Sequence, residues 1–250
     1  MKSQNLQFVW FPVSATSLRA DKILEALFEV SPDSSQTNRL PTPQAPFLSQ
    51  ASYSDETVTY LVQVLPGRVN LVLQPANGEA STEDFGHPPL IDFEANFDRA
   101  ISCILKLPTG LIGDCLRLSI IPNFAWRRQS QAEANEVFSS LTSTTIRVDS
   151  RDLLYQFNDR GRITQGIEIN QIHSFGVAEY QMFQFQLGQG QNIGVMPGNS
   201  MINYVATLSL DFNTVPDGRI LSESLQKLIF EDLRTSVSQT IDTLQIGELK

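Results

Sequence analysis

Apolar and polar residues alternate along this chain with two distinct periods. Period two is clearest in TVTYLVQVLPGRVNLVLQP, where Val58, Tyr60, Val62 and Val64 share one side. The pattern resumes after Pro66-Gly67 through Val69, Leu71 and Leu73, and the Pro-Gly pair suits the central positions of a type II turn, so a hairpin is predicted. Leu6–Val13 reads as a buried first strand. The helical period places Ile23, Leu24, Leu27 and Phe28 on one face, with Ser17 as N-cap. It recurs at Phe93, Phe97, Ile101, Ile104 and Leu105 behind a capping Asp92. It recurs again at Ala134, Val137, Phe138 and Leu141, where Ser130 and Glu133 have capping-box spacing. Leu225, Ile229, Leu233 and Val237 mark a long closing helix. Ser31–Pro46 holds four prolines and no period, which predicts a surface loop.

Taken in order, the elements predict strand, helix, three strands, helix, and then the same arrangement again. Meanders alternate with helices, so the single-strand crossovers of a parallel sheet are missing. The expected fold class is α+β: antiparallel sheet with helices packed on one face. The halves divide at residues 1–110 and 111–250, as two units or as one continuous domain.

Composition narrows the function. Hydrophobic residues make up 41% of the 250 and charged residues 18%, which describes a folded chain rather than a disordered one. Gln, Asn, Ser and Thr fill the gap left by the charges. A net charge of −9 repels phosphate backbones and anionic lipid, so nucleic-acid and membrane binding are not expected. Seven arginines, Arg117, Arg127, Arg128, Arg147, Arg151, Arg160 and Arg162, crowd one segment; they read as a solvated face with local ion pairs, or else as a docking patch for an acidic partner. No stretch approaches the roughly 20 apolar residues of a membrane span, and FVWFPV is too short for a signal peptide, so a cytoplasmic location is expected.

Candidate chemistry is sparse. SLDFNTVPDG resembles a calcium loop, but with Asp211 as position 1 and Asn213 as position 3, Val215 and Pro216 occupy positions 5 and 6, and Ser222 position 12. Strand alternation accounts for the letters better: Ala206, Leu208, Leu210 and Phe212 face a core, and Thr214 to Gly218 turn. The two histidines, His87 and His173, limit nucleophilic devices; His87 reads as a loop imidazole and His173 as a hydrogen-bonded sheet residue. Cys103 and Cys115 read as two buried thiols. Gly188, Gly190 and Gly194 miss the dinucleotide spacing by one residue. No cofactor, metal or catalytic residue is expected.

At QFNDRGRI, GIEINQIHSF and LSLDFNTVPDG the last hundred residues resemble a sporadically distributed set of uncharacterised bacterial proteins with no assigned activity. The resemblance rests on Gln156-Phe157-Asn158 and on Asp211-Phe212-Asn213-Thr214, and it implies a bacterial accessory role, including a defence-associated one. From the residues themselves, the expected function is a non-enzymatic binding protein that meets a protein partner or a second copy through amide-rich strand faces such as Gln184 and Gln186 opposite Phe183 and Phe185. The alternative is an enzyme or small-ligand site built from dispersed polar residues: Asp211, Asn213, His173 and Asn158, with Arg127 and Arg128 as further binding candidates.

Overall fold

Each period-two segment finds a partner, and the result is one antiparallel sheet of ten strands among the described residues. The computed structural model describes residues 1–76, 89–186 and 196–246, the side chains of 181–201 excepted. His87 and the glycines at 188, 190 and 194 lie outside the described residues, as do the side chains of Phe183, Gln184, Phe185 and Gln186.

In chain order the elements are β1 (Lys2–Pro12), α1 (Ala20–Phe28), β2 (Ser34–Thr37), β3 (Ser49–Ser54), β4 (Val58–Leu65), β5 (Arg68–Pro75), β6 (Ile91–Asp92) and α2 (Phe93–Leu105). The second half continues with β7 (Cys115–Arg128), α3 (Gln131–Thr142), β8 (Leu154–Arg162), β9 (Glu168–Gln186), β10 (Met196–Thr214) and α4 (Glu223–Thr243). Spatial order is β2-β3-β4-β5-β1-β7-β10-β9-β8, with β6 paired to β1.

The tandem arrangement is visible in that order. β3-β4-β5-β1 on one side is matched by β8-β9-β10-β7 on the other, and the first strand of each half, β1 and β7, pair antiparallel at the centre. The two halves are thus related by a topological half-turn about a shared seam, and the sheet runs unbroken across residue 110.

Helices cover one face because that face is apolar in every central strand. Phe8 stacks on Phe97 of α2 at 6.1 Å and meets Phe230 of α4 edge-on at 6.3 Å; Trp10 lies 5.1 Å from Phe230. Phe93 meets Phe124 of β7 at 5.0 Å. Val137, Phe138 and Leu141 of α3 join the same core as Trp126 and Phe175. Each such side chain contributes about 1.5 to 3 kcal/mol through burial. Ala206, Leu208, Leu210 and Phe212 are fully buried, as their alternation predicts.

Several local expectations need correction. The segment read as loop contains β2, which pairs with β3 through four polar residues. That strand lies at the sheet edge with every residue exposed, so it carries no hydrophobic signal. α1 starts at Ala20 with Arg19 at its N-cap position and no side-chain cap; Ser17 lies outside it. Ser130 does cap α3, bonding the Glu133 amide at 3.3 Å, but Glu133 reaches back to the Gln129 amide rather than that of Ser130. Gly67 takes φ 72°, as the tight β4–β5 turn requires.

Candidate functional site

Cross-strand register decides what the helix-free face presents. One row runs through all nine strands of the main path: Gln36, Gln50, Gln63, Asn70, Val9, Ser119, Asn213, Asn170 and Arg160 stand side by side from β2 to β8. Six of these are amides. The neighbouring row carries Ser34, Ser52, Leu61, Val72 and Gln7 on one half, and Asp211, Ile172 and Asn158 on the other; Ile121 stands opposite Gln7. Residues two apart on a strand share a face, so both rows lie on the side away from the helices.

The amides are wired together. Asn158 Nδ2 donates to Asn170 Oδ1 at 3.1 Å, Asn170 Nδ2 to Asn213 Oδ1 at 3.0 Å, and Asn213 Nδ2 to Asp211 Oδ1 at 2.9 Å. Ser119 Oγ closes the chain on the same Asp211 oxygen at 2.6 Å. On the other half Gln63 donates to Gln50 at 2.7 Å, and Asn123 to Asn5 at 2.7 Å. Such ladders hold each amide in one orientation, and the direction of donation fixes which oxygen and nitrogen point where.

The fold brings together three of the four dispersed polar candidates. Asp211, Asn213 and Asn158 belong to this one network. His173 stands opposite Leu210, on the helix face, buried between Phe157 at 4.5 Å and Phe212 at 5.9 Å. Neither of its ring nitrogens has a hydrogen-bond partner among the described residues, which corrects the expectation of a hydrogen-bonded sheet residue. Burial lowers its pKa below the ordinary value, against a small opposing pull from Asp159. A neutral imidazole in an aromatic stack is 4.5 Å from a phenyl ring and on the wrong face to act on anything held by Asp211.

The arginine segment is scattered by the fold. Arg147 pairs with Asp149, and Arg160 and Arg162 share Glu168. Arg127 and Arg128 end β7 on opposite faces, Arg128 bonding the Arg127 carbonyl at 2.7 Å. Arg117, on the helix-free face, lies over the Phe11 ring at 5.2 Å, and its buried Nε has no hydrogen-bond partner among the described residues. Cys103 is half-buried and Cys115 buried, both as free thiols; burial pushes the Cys115 thiol up to about 12, so it stays protonated and inert.

Among the described residues no three His, Cys, Asp or Glu side chains gather as metal ligands would. Asp217 instead accepts the Arg219 amide in a turn that Gly218 completes at φ 81°.

Two groupings escaped sequence reading because their members are far apart in the chain. Arg99 of α2 bonds the Tyr60 hydroxyl at 2.7 Å and lies over its ring at 5.0 Å, while Tyr60 donates to Asp55 at 3.2 Å. Burial raises the Tyr60 hydroxyl to about 12, so this clasp is a neutral phenol between two charges. The second is a cleft at the α2–α4 junction, where Glu223 accepts from the Gly110 and Gly113 amides at 2.8 to 2.9 Å. Among the described helices none is long and apolar enough to cross a membrane. Compared with protein-family models, curated proteins and solved structures, the chain matches none of them.

Proposed function

We propose that this chain is a non-enzymatic binding protein whose helix-free sheet face docks another protein surface, a second copy of the chain included. The observation that carries this reading is the pair of rows crossing the sheet. One is amide-rich, and its neighbour sets the aliphatic side chains of Leu61, Val72, Ile121 and Ile172 among small polar groups. An ordinary solvated sheet face carries Lys, Glu and Arg on its outward positions. Here the two rows hold one arginine, Arg160, and one acid, Asp211, and that acid is already bonded by Ser119 and Asn213. Depletion of charge is the composition of an interface centre; Val9, Asn70, Ser119 and Asn213 are buried beneath their neighbours, and the half-exposed Gln7, Gln50, Gln63, Asn170, Leu61, Val72, Ile121 and Ile172 are the members a partner meets.

Protein contact is favoured over nucleic acid, because the net charge of −9 and the ion-paired Arg147, Arg160 and Arg162 leave little to hold a phosphate backbone. The resemblance of the last hundred residues supports a bacterial and accessory setting, and the lack of a long apolar stretch in the sequence supports a cytoplasmic one.

The test is size-exclusion chromatography with light scattering, together with recovery of partners from the native host, for the unaltered chain and for Leu61→Lys with Ile121→Lys. Self-association or a stoichiometric partner, lost in the double variant while its circular dichroism is unchanged, is the expected result. A monomer that recovers nothing, or a partner held equally by the double variant, overturns the reading.

A further inference from the structure

The helix side of the sheet holds a cleft of about 400 Å³ at one end of the α2–α4 pair. That volume lies within the range of small-molecule sites, about 300 to 1,000 Å³. Its floor is apolar: Trp10 and Phe230 from the core, with Ile104, Leu107 and Ile112 beside them. Its polar lining holds Asp114, Glu223 and Gln226 together with Lys227 and the hydroxyls of Thr109, Ser222 and Ser224.

Gly110 and Gly113 adopt φ 86° and 79°, conformations that turn their amides toward the first turn of α4. Their N–H groups converge on the Glu223 carboxylate and fix it at the mouth. Neutral amides position this acid without cancelling its charge. Asp114 follows in the same loop, exposed and also lining the cleft. Gln226 is 95% buried and spends both amide hydrogens, on the Gly113 carbonyl at 2.8 Å and the Leu221 carbonyl at 2.9 Å. Its Oε1 is left as an acceptor with no partner among the described residues. Lys227 also lines the cleft; its ammonium is turned to the Leu107 carbonyl at 3.0 Å and forms no ion pair with Glu223 or Asp114 among the described residues.

The opposite end of the same helix pair shows what this end lacks. There a smaller cleft of about 200 Å³ is lined by Glu94, Asp98 and Asp242, and Arg234 of α4 enters it and bonds Asp98 at 2.6 Å. The topological half-turn that exchanges α2 with α4 makes the two ends counterparts. At one end a guanidinium from within the chain bonds an acid; at the other the lining lysine, Lys227, bonds the Leu107 carbonyl and leaves two carboxylates without an ion pair among the described residues above an apolar floor.

We infer that the α2–α4 cleft is a binding site for a small organic amine with an aromatic or branched aliphatic body. The ammonium sits between Glu223, Asp114 and Gln226 Oε1, and the body rests on Ile104, Leu107 and Ile112 over Trp10. The ligand's cation takes the place that Arg234 fills at the other end. Burial of the apolar body supplies affinity, and the acceptors select charge.

The experiment is a titration of the ¹⁵N-labelled chain with 2-phenylethylamine, with 3-phenylpropionate as its anionic counterpart. Saturable shifts of the Gly110 and Gly113 amides and the Trp10 indole are expected with the amine, at an affinity at least about tenfold above that of the acid, the equivalent of about 1.4 kcal/mol. Thr109→Arg, at an exposed rim position, and Asp114→Asn should each weaken the amine about tenfold or more while the far-UV spectrum is unchanged. Absence of saturable shifts, equal binding of the acid, or full affinity in both variants overturns the assignment.

Discussion

His173 and Glu223 show how a single side chain records its surroundings. The His173 imidazole is buried with both nitrogens unbonded among the described residues, and burial holds its pKa below the ordinary value of 6.5. The unfolded chain therefore takes up this proton before the folded one does. Stability from this group is complete above about pH 6.5 and is lost as the pH falls through that value toward the lower folded pKa. His173→Phe keeps the ring between Phe157 and Phe212 and removes the proton. Its unfolding free energy should vary less between pH 7.5 and 5.5 than that of the unaltered chain, as read by urea titration at each pH. A parallel dependence in both would show that the imidazole is not the group responsible. Glu223 makes the converse case: hydrogen bonds from two backbone amides, Gly110 to both carboxylate oxygens and Gly113 to one, stabilise the Gly110–Gly113 loop. Glu223→Ala should cost about 1 to 3 kcal/mol in the same titration.

At the scale of elements, helix starts separate what a short motif specifies from what packing supplies. Asp92 accepts the Ala95 amide at 3.2 Å and caps α2, so Asp92→Ala should lose about 1 kcal/mol. Ser222 occupies the same position before α4 but makes no capping bond. Ser222→Ala should therefore change stability by less than about 0.5 kcal/mol. Equal losses in chemical denaturation would contradict the geometry. The legible elements were those with a periodic buried face: β1, the β4–β5 hairpin and all four helices. β2 was not legible, because its four exposed polar residues bury nothing; they pair with β3 through the backbone and the Ser34–Ser52 hydroxyl contact at 2.8 Å. The start of α1 was misplaced because Ser17 has the right chemistry for a cap, yet the helix begins three residues later, at Ala20.

For the whole molecule, the β1–β7 pairing is the decisive contact. It makes one sheet of two halves, and Phe8 of the first half packs on Phe230 from the end of the second. A seam this apolar couples the halves, so thermal or urea unfolding should be a single transition, with tryptophan fluorescence and circular dichroism coincident. Two separated transitions would mean that the halves are independent units. The same seam places the amide rows end to end across nine strands. Neither half alone presents the surface to which the binding role is assigned.

The sequence by itself determined the class: alternating strands, amphipathic helices, repeated element order and a paucity of charge on outward positions all follow from local periodicity. Each of those signals depends only on neighbours within a few residues. Which polar residues stand together was decided by tertiary structure. Strand register joined Asp211, Asn213 and Asn158 on one face and set His173 on the other. Helix packing brought Glu223 to Gly110 and Gly113 across more than a hundred residues. Register and packing are properties of pairs distant in the chain, and each is fixed by burial of the whole core rather than by any short motif.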